Sequence, residues 1–264
     1  MNTQIRFHFI LLMVLCSSCS NLVKKFSAPD KVLKELEDYK LYQLNDYSDQ
    51  LNSLQQIIEN DEEFEIVKLS SQAQTYLTSK IEDIVKNNEL LFDKSFSAKV
   101  YIIRSNIPFY FSLPNGGLFF SLDLFKNYIP YESLLMAVLT FESLRSKKAF
   151  YNKHLIFPTG QISLAEILKL SRLSLKNKLE INKWALYALK RAGFEGNAYL
   201  SWLQVMNKNT SRFILHLGSK ENISREETLL KRFIAKHGLK RVFSKRERNS
   251  SQSFYEFLKE IKRI

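Results

Sequence analysis

The chain has 264 residues, 45% hydrophobic and 25% charged, a globular composition that excludes disorder as its main state. Seven Gly and five Pro exclude collagenous and low-complexity architectures, while 20 Phe and 12 Tyr foretell an aromatic-rich interior or cleft. Lysine and arginine number 39 against 27 aspartates and glutamates, a net charge of +12, so the surface attracts polyanions. Both cysteines, Cys16 and Cys19, lie near the start, so the rest of the chain forms neither an internal disulfide nor a thiolate metal site.

Residues 1–6 are weakly positive, and residues 7–15 (FHFILLMVL) form an apolar run of secretory-signal length, too short to span a bilayer. The run ends in Leu15-Cys16-Ser17-Ser18-Cys19-Ser20, which resembles a bacterial lipobox, in which small residues precede a cysteine that is lipidated on its sulfur. Cys19 is the acceptor this implies, although Cys16 stands three residues before it where leucine is preferred. The resemblance implies a signal peptide over 1–18, a tether over 19–30, and a lipid-anchored protein of the bacterial cell envelope facing the periplasm. Ser20 rather than aspartate after the cysteine points to the outer membrane rather than the inner. No later apolar run reaches about 18 residues, so the chain is expected to be tethered rather than membrane-spanning.

Residues 31–95 read as an N-terminal helical region. Leu33, Leu36, Tyr39, Leu41, Leu44, Leu51, Leu54, Ile57 and Ile58 fall at mixed helical spacings, predicting two helices over 31–58 or one broken near Asn45. Tyr76, Leu77, Ile81 and Ile84 predict a helix over 70–86, and the acidic cluster Glu59, Asp61, Glu62, Glu63 and Glu65 a solvated loop. Strands are predicted over 98–103, 109–113 and 118–124, the last two joined by a turn at Pro114-Asn-Gly-Gly117. Helices are then predicted over 132–150, 162–175, 179–192, 197–205, 225–237 and 253–261, with Gly193 as a C-terminal cap. This order predicts an α+β, mostly helical fold with a small β-sheet.

Three blocks between 96 and 194 are similar to the zinc metallopeptidases of the CAAX prenyl endopeptidase and HtpX group, metallopeptidase family forty-eight. The first, Phe109-Tyr-Phe-Ser-Leu-Pro-Asn-Gly-Gly-Leu-Phe-Phe-Ser121, resembles the family's hairpin Asn-Ala-Phe-Ala-x-Pro-Gly-Gly, with Phe109 and Tyr110 in place of Asn-Ala and Asn115 added before the glycines. The second, 134–145, is set against the family's helix E-L-x-x-V-L-x-H-E-x-x-H, matching at Leu135, Val138, Leu139 and Glu142. The third, 178–194, is similar to E-x-x-A-D-x-x-A-x-x-x-L-x-x-A-G-Y, matching at Ala185, Leu189, Ala192 and Gly193. The resemblance implies a zincin-like metallopeptidase fold, with 96–264 as a metallopeptidase-like domain ending in basic helices.

Zincin chemistry needs two histidines one helical turn apart, a glutamate between them to deprotonate a metal-bound water, and a third ligand. Against the family pattern the two histidine positions hold Phe141 and Arg145, the helix reads Phe-Glu-Ser-Leu-Arg, and the third-ligand position holds Lys178. A hydrocarbon ring and two cations bind no zinc, so no cofactor is expected, and zinc only if the ligand alignment is shifted. Glu142 is then a vestige of the catalytic residue. The expectation is a charge network in place of the metal, with Arg145 paired to Glu142, Glu180 reaching the same arginine, and Phe141 filling the metal pocket. His154, His216 and His237 lie in separate segments without ligand spacing, and serine-nucleophile and phosphate-loop motifs are absent.

In the related peptidases the edge strand beside the cleft pairs with extended substrate, and such pairing needs no metal. Phe109, Tyr110, Phe111, Gly116 and Gly117 are therefore a candidate peptide-binding hairpin, extended by Phe119 and Phe120; the alternative is that these rings are ordinary core. The basic stretch 231–248 offers a partner surface for anionic lipid or lipopolysaccharide rather than nucleic acid, or a solvated helical face. The expected function is a catalytically inactive, metallopeptidase-like envelope lipoprotein that binds a protein or peptide as a scaffold or chaperone-like factor. Two alternatives stand beside it: an active metalloendopeptidase with a divergent site built on Glu142 and a distant histidine, and a basic module for anionic envelope polymers.

Overall fold

A computed structural model describes residues 44–93, 95–148, 162–237 and 250–264. The expected signal peptide and tether, Cys19, residues 31–43, His154 and most of the basic stretch 231–248 lie outside the described residues. The chain divides into a segment Met1–Leu41 and a compact unit Tyr42–Ile264, and every described element belongs to the second.

The described residues form ten helices and a three-stranded sheet: α1 (Leu44–Asn60), α2 (Ser71–Lys86), β1 (Lys99–Ile103), β2 (Tyr110–Ser112), β3 (Gly117–Ser121), α3 (Leu122–Asn127), α4 (Glu132–Lys148), α5 (Leu164–Leu170), α6 (Leu175–Arg191), α7 (Ala198–Lys208), α8 (Thr210–Leu217), α9 (Lys220–Lys236) and α10 (Gln252–Arg263). The fold is therefore α+β and mostly helical, as the sequence predicts. No described helix is long and apolar enough to cross a membrane.

Serine sets where many of these helices start. Ser70, Ser121, Ser163, Ser174, Ser219 and Ser251 each precede a helix in extended conformation and accept from the backbone N–H three residues on, satisfying a donor the helix cannot. These caps correct several predicted boundaries. Ser121 ends β3 and opens α3, so the strand stops short of Leu124; Ser174 opens α6 four residues before the predicted start and leaves α5 a short helix. α8 is an element the periodicity does not announce. Gly193 caps α6 as expected: at φ +78 it donates to Lys190 O while Phe194 donates to Leu189 O, a Schellman pair.

β3 lies at the centre of the sheet, parallel to β1 and antiparallel to β2. The acidic loop adds to it, since Val67 donates to Ile102 O and Arg104 to Glu65 O, giving β1 a bridging segment that the charge pattern conceals. One sheet face is an aromatic ladder in which Tyr101, Phe119 and Phe111, cross-strand partners, stack at 4.8 Å and 5.0 Å between centroids. α1 lies against this face, where the Tyr101 hydroxyl donates to Glu59. The other face carries Ile102, Tyr110, Leu118 and Phe120 into the main core.

α4 is the axis of that core. Every residue from Leu134 to Ser146 is buried, so the helix is covered on all sides, by α2, α6, α7 and the sheet. The Pro114–Gly116 turn docks on α4 because Ser146 accepts from the Gly116 N–H and donates to Leu113 O. Gly116 is required there: φ is +86, and a Cβ would fall 2.1 Å from Ser97 O.

Candidate functional site

Burying α4 all round obliges its polar residues to find partners inside the protein. Glu142 and Arg145, three residues apart and both buried, approach to 3.5 Å, and Arg145 also donates to Ser171 O at the end of α5. The inward face of α6 contributes Lys178, whose Nζ lies 3.6 Å from Glu226 of α9. One turn on, Asn182 donates to the other Glu226 oxygen at 2.8 Å. Lys178 also acts electrostatically on Glu142, so the two pairs form one network rather than two isolated bridges.

Aromatic and imidazole groups line the network. Tyr110 of β2 packs its ring 4.4 Å from His216 of α8, accepts from Trp202 Nε1 at 3.1 Å and donates to Met206 Sδ at 3.4 Å. Phe141 stacks on Tyr199 of α7, centroids 4.7 Å apart and planes 7° from parallel.

Burial dominates the electrostatics. It pushes the Glu142 carboxyl above its ordinary value, against the opposing pull of Arg145, the Ser112 hydroxyl and Lys178. It pushes the His216 imidazole well below 6.5, reinforced by Lys178, Arg145 and Arg172, so the ring is neutral in the fold. Tyr110 and Tyr199 are pushed up by burial and by the nearby carboxylates Glu142 and Glu226 and stay protonated. Among the buried polar atoms of this cluster, Ser112 Oγ, Glu142 Oε1, Asn182 Oδ1 and His216 Nδ1 lack a hydrogen-bond partner of good geometry.

These residues do not fit a catalytic zinc. Of the three ligand positions implied by the resemblance, Phe141 is occupied in a ring stack, Arg145 is a permanent cation hydrogen-bonded to a carbonyl, and Lys178 is a cation committed to a carboxylate. A dication at this locus would face both cations, and His216 is subject to the same charges. Among the described residues no three His, Cys, Asp or Glu side chains are grouped closely enough to hold a metal ion.

The structure brings Glu142, Arg145 and Lys178 into one region, with Phe141 next to Glu142 on α4. Glu180, expected to reach Arg145, is exposed on the opposite side of α6, and the carboxylate that α9 adds to the network is Glu226, beside Lys178. Glu226 carries a signal in the sequence that the block pattern does not use: it sits on the apolar stripe Ile223, Glu226, Leu230, Ile234, where a charge must have an interior partner. His216, beside Phe213 and Leu217, carries the same signal. The hairpin is interior: Phe109, Tyr110, Phe111, Gly116, Gly117, Phe119 and Phe120 are all buried, their rings serving the ladder and the main core. In comparison with known proteins, no protein-family model and no curated protein matches the chain.

Proposed function

We propose that this protein is a membrane-tethered bacterial envelope lipoprotein whose metallopeptidase-like domain has no peptidase activity and works by binding a protein or peptide, as a scaffold or chaperone-like factor. One observation carries the reading: at the locus where α4 and α6 would present metal ligands, Glu142–Arg145 and Lys178–Glu226 form a buried network of opposite charges. Such a network gives Glu142 an electrostatic partner in place of a metal-bound water. A domain that keeps the frame of a peptidase without its metal acts by contact, through exposed surface rather than the buried hairpin.

The test is hydrolysis of unfolded protein and peptide substrates by the full-length chain, with and without a chelator, beside Glu142→Gln. The reading expects no turnover in any arm and, where Glu142→Gln is shown to fold to the parent's level, the same cellular phenotype as the parent. Chelator-sensitive hydrolysis abolished by Glu142→Gln overturns it in favour of a divergent metalloendopeptidase.

A further inference from the structure

α6 has two unlike faces. Ile181, Asn182, Ala185, Leu186, Ala188 and Leu189 are buried and face the network. At about 100° per residue, Lys176, Glu180, Lys183, Trp184, Tyr187, Lys190 and Arg191 fall within an outer arc of roughly 120°. That arc carries cations against a single acid, and all but Tyr187, which is half-buried, are exposed. Trp184 is 44% exposed, unusual for the largest apolar side chain.

α9 continues the same surface. The half-buried Phe233 meets Tyr187 edge to face at 6.3 Å, Lys183 Nζ lies 5.4 Å above the Phe233 ring, and His237 stands 4.4 Å beyond it. A single exposed apolar residue calls for no explanation. A tryptophan set among lysines and arginines, next to a second aromatic cluster, combines the two features of an interfacial surface: an amphipathic ring for the headgroup region and cations for the charge above it.

We propose that the outer face of α6, with Phe233 of α9 beside it, docks on an anionic phospholipid membrane, Trp184 entering the headgroup region and Lys183, Lys190 and Arg191 meeting lipid phosphates. The occupant is chosen by charge complementarity, in the arc itself and in a chain of net charge +12. Nucleic acid fits less well, because base stacking needs open ring faces, and Tyr187 and Phe233 are turned edge to face with Lys183 over one of them. The proposal uses only α6 and α9, and stands whether or not the peptidase-like reading of the buried network does.

The chain has two tryptophans, and Trp202 is fully buried, so Trp184 reports on this face alone. The full-length chain is bound to vesicles of brominated phosphatidylcholine, with or without phosphatidylglycerol, and tryptophan emission is followed. The expected result is a blue shift and quenching that are larger in anionic vesicles and decline in high salt. Trp184→Phe should abolish them, and Lys190→Glu with Arg191→Glu should remove most of the anionic increment. Any N-terminal anchor holds the protein at the bilayer in both compositions, so unquenched emission in both means that this face points away and overturns the proposal. Equal quenching with and without anionic lipid, or an emission change with a single-stranded oligonucleotide but not with anionic vesicles, also overturns it.

Discussion

Phe141 lies parallel to Tyr199, 4.7 Å between ring centroids, at the helix position that the proposed likeness to zinc metallopeptidases sets against a first histidine. In this fold the position serves packing. Phe141→Ala should therefore destabilise the fold by about 3–5 kcal/mol, as for other buried phenylalanines, whereas Phe141→Leu should cost about 1.5 kcal/mol or less. Denaturant unfolding of the two variants checks this; equal, small effects would mean that the ring pair is not a core contact.

Lys178 and Glu226 test the network. Removing one partner of a buried pair strands the other charge, so Lys178→Met or Glu226→Gln alone should cost about 3 kcal/mol. The double variant should cost clearly less than the sum of the two. A double-mutant cycle by chemical denaturation measures the coupling. Additive losses would show that the 3.6 Å approach carries no mutual stabilisation.

Acid should act on the same cluster through His216. Its folded pKa lies below the ordinary 6.5, so the stability it confers is fully present above pH 6.5 and is lost as pH falls through the folded value, because the unfolded chain binds the proton more readily. Glu142 has the opposite sign: with its folded pKa above 4.5, its contribution is full below pH 4.5 and is lost as pH rises through the folded value. Unfolding free energies measured across pH 4.5–6.5 should therefore fall less steeply toward acid in His216→Gln than in the parent, by up to about 1.4 kcal/mol per pH unit. Identical slopes would contradict the neutral buried imidazole.

Glu132 holds the C-terminal helix in place. Its carboxylate accepts from Tyr76 Oη at 2.8 Å, Ser251 N at 2.7 Å and Ser251 Oγ at 2.9 Å, with Lys80 Nζ 3.2 Å away. Burial pushes this carboxyl up, but the donors outweigh it and hold it below 4.5, so its contribution is present above pH 4.5 and is lost as pH falls through the folded value. Glu132→Ala should cost about 2–3 kcal/mol and raise amide exchange across α10 ahead of the rest of the core. Uniform exchange over the whole domain would assign Glu132 to global stability instead.

The strands are legible in the sequence because β-branched and aromatic runs are bounded by Pro114, Gly116 and Gly117, and Ser70 announces α2 as a cap. The end of β3 is not, since Leu122 and Leu124 continue the apolar run and only the Ser121 side chain turns them into helix. At the site, the helical pattern places Phe141, Glu142 and Arg145 correctly on α4 because spacing along one helix is local information. Glu226 and His216 come from α9 and α8, and their convergence on Lys178 and Tyr110 depends on tertiary packing that no single segment encodes. The α6 arc stands out in the sequence mainly as a likeness to a ligand-bearing block, and that likeness points to Lys178 on the inner face and away from Trp184 on the outer.

The most direct measurement is zinc per chain, by elemental mass spectrometry, on the full-length protein purified without chelators. A buried ion network at the ligand positions predicts metal far below one ion per chain, unchanged by Glu142→Gln. One zinc per chain, lost when His216 or Glu226 is replaced in a protein that still folds, would contradict the account and place a metal centre where it puts an ion pair.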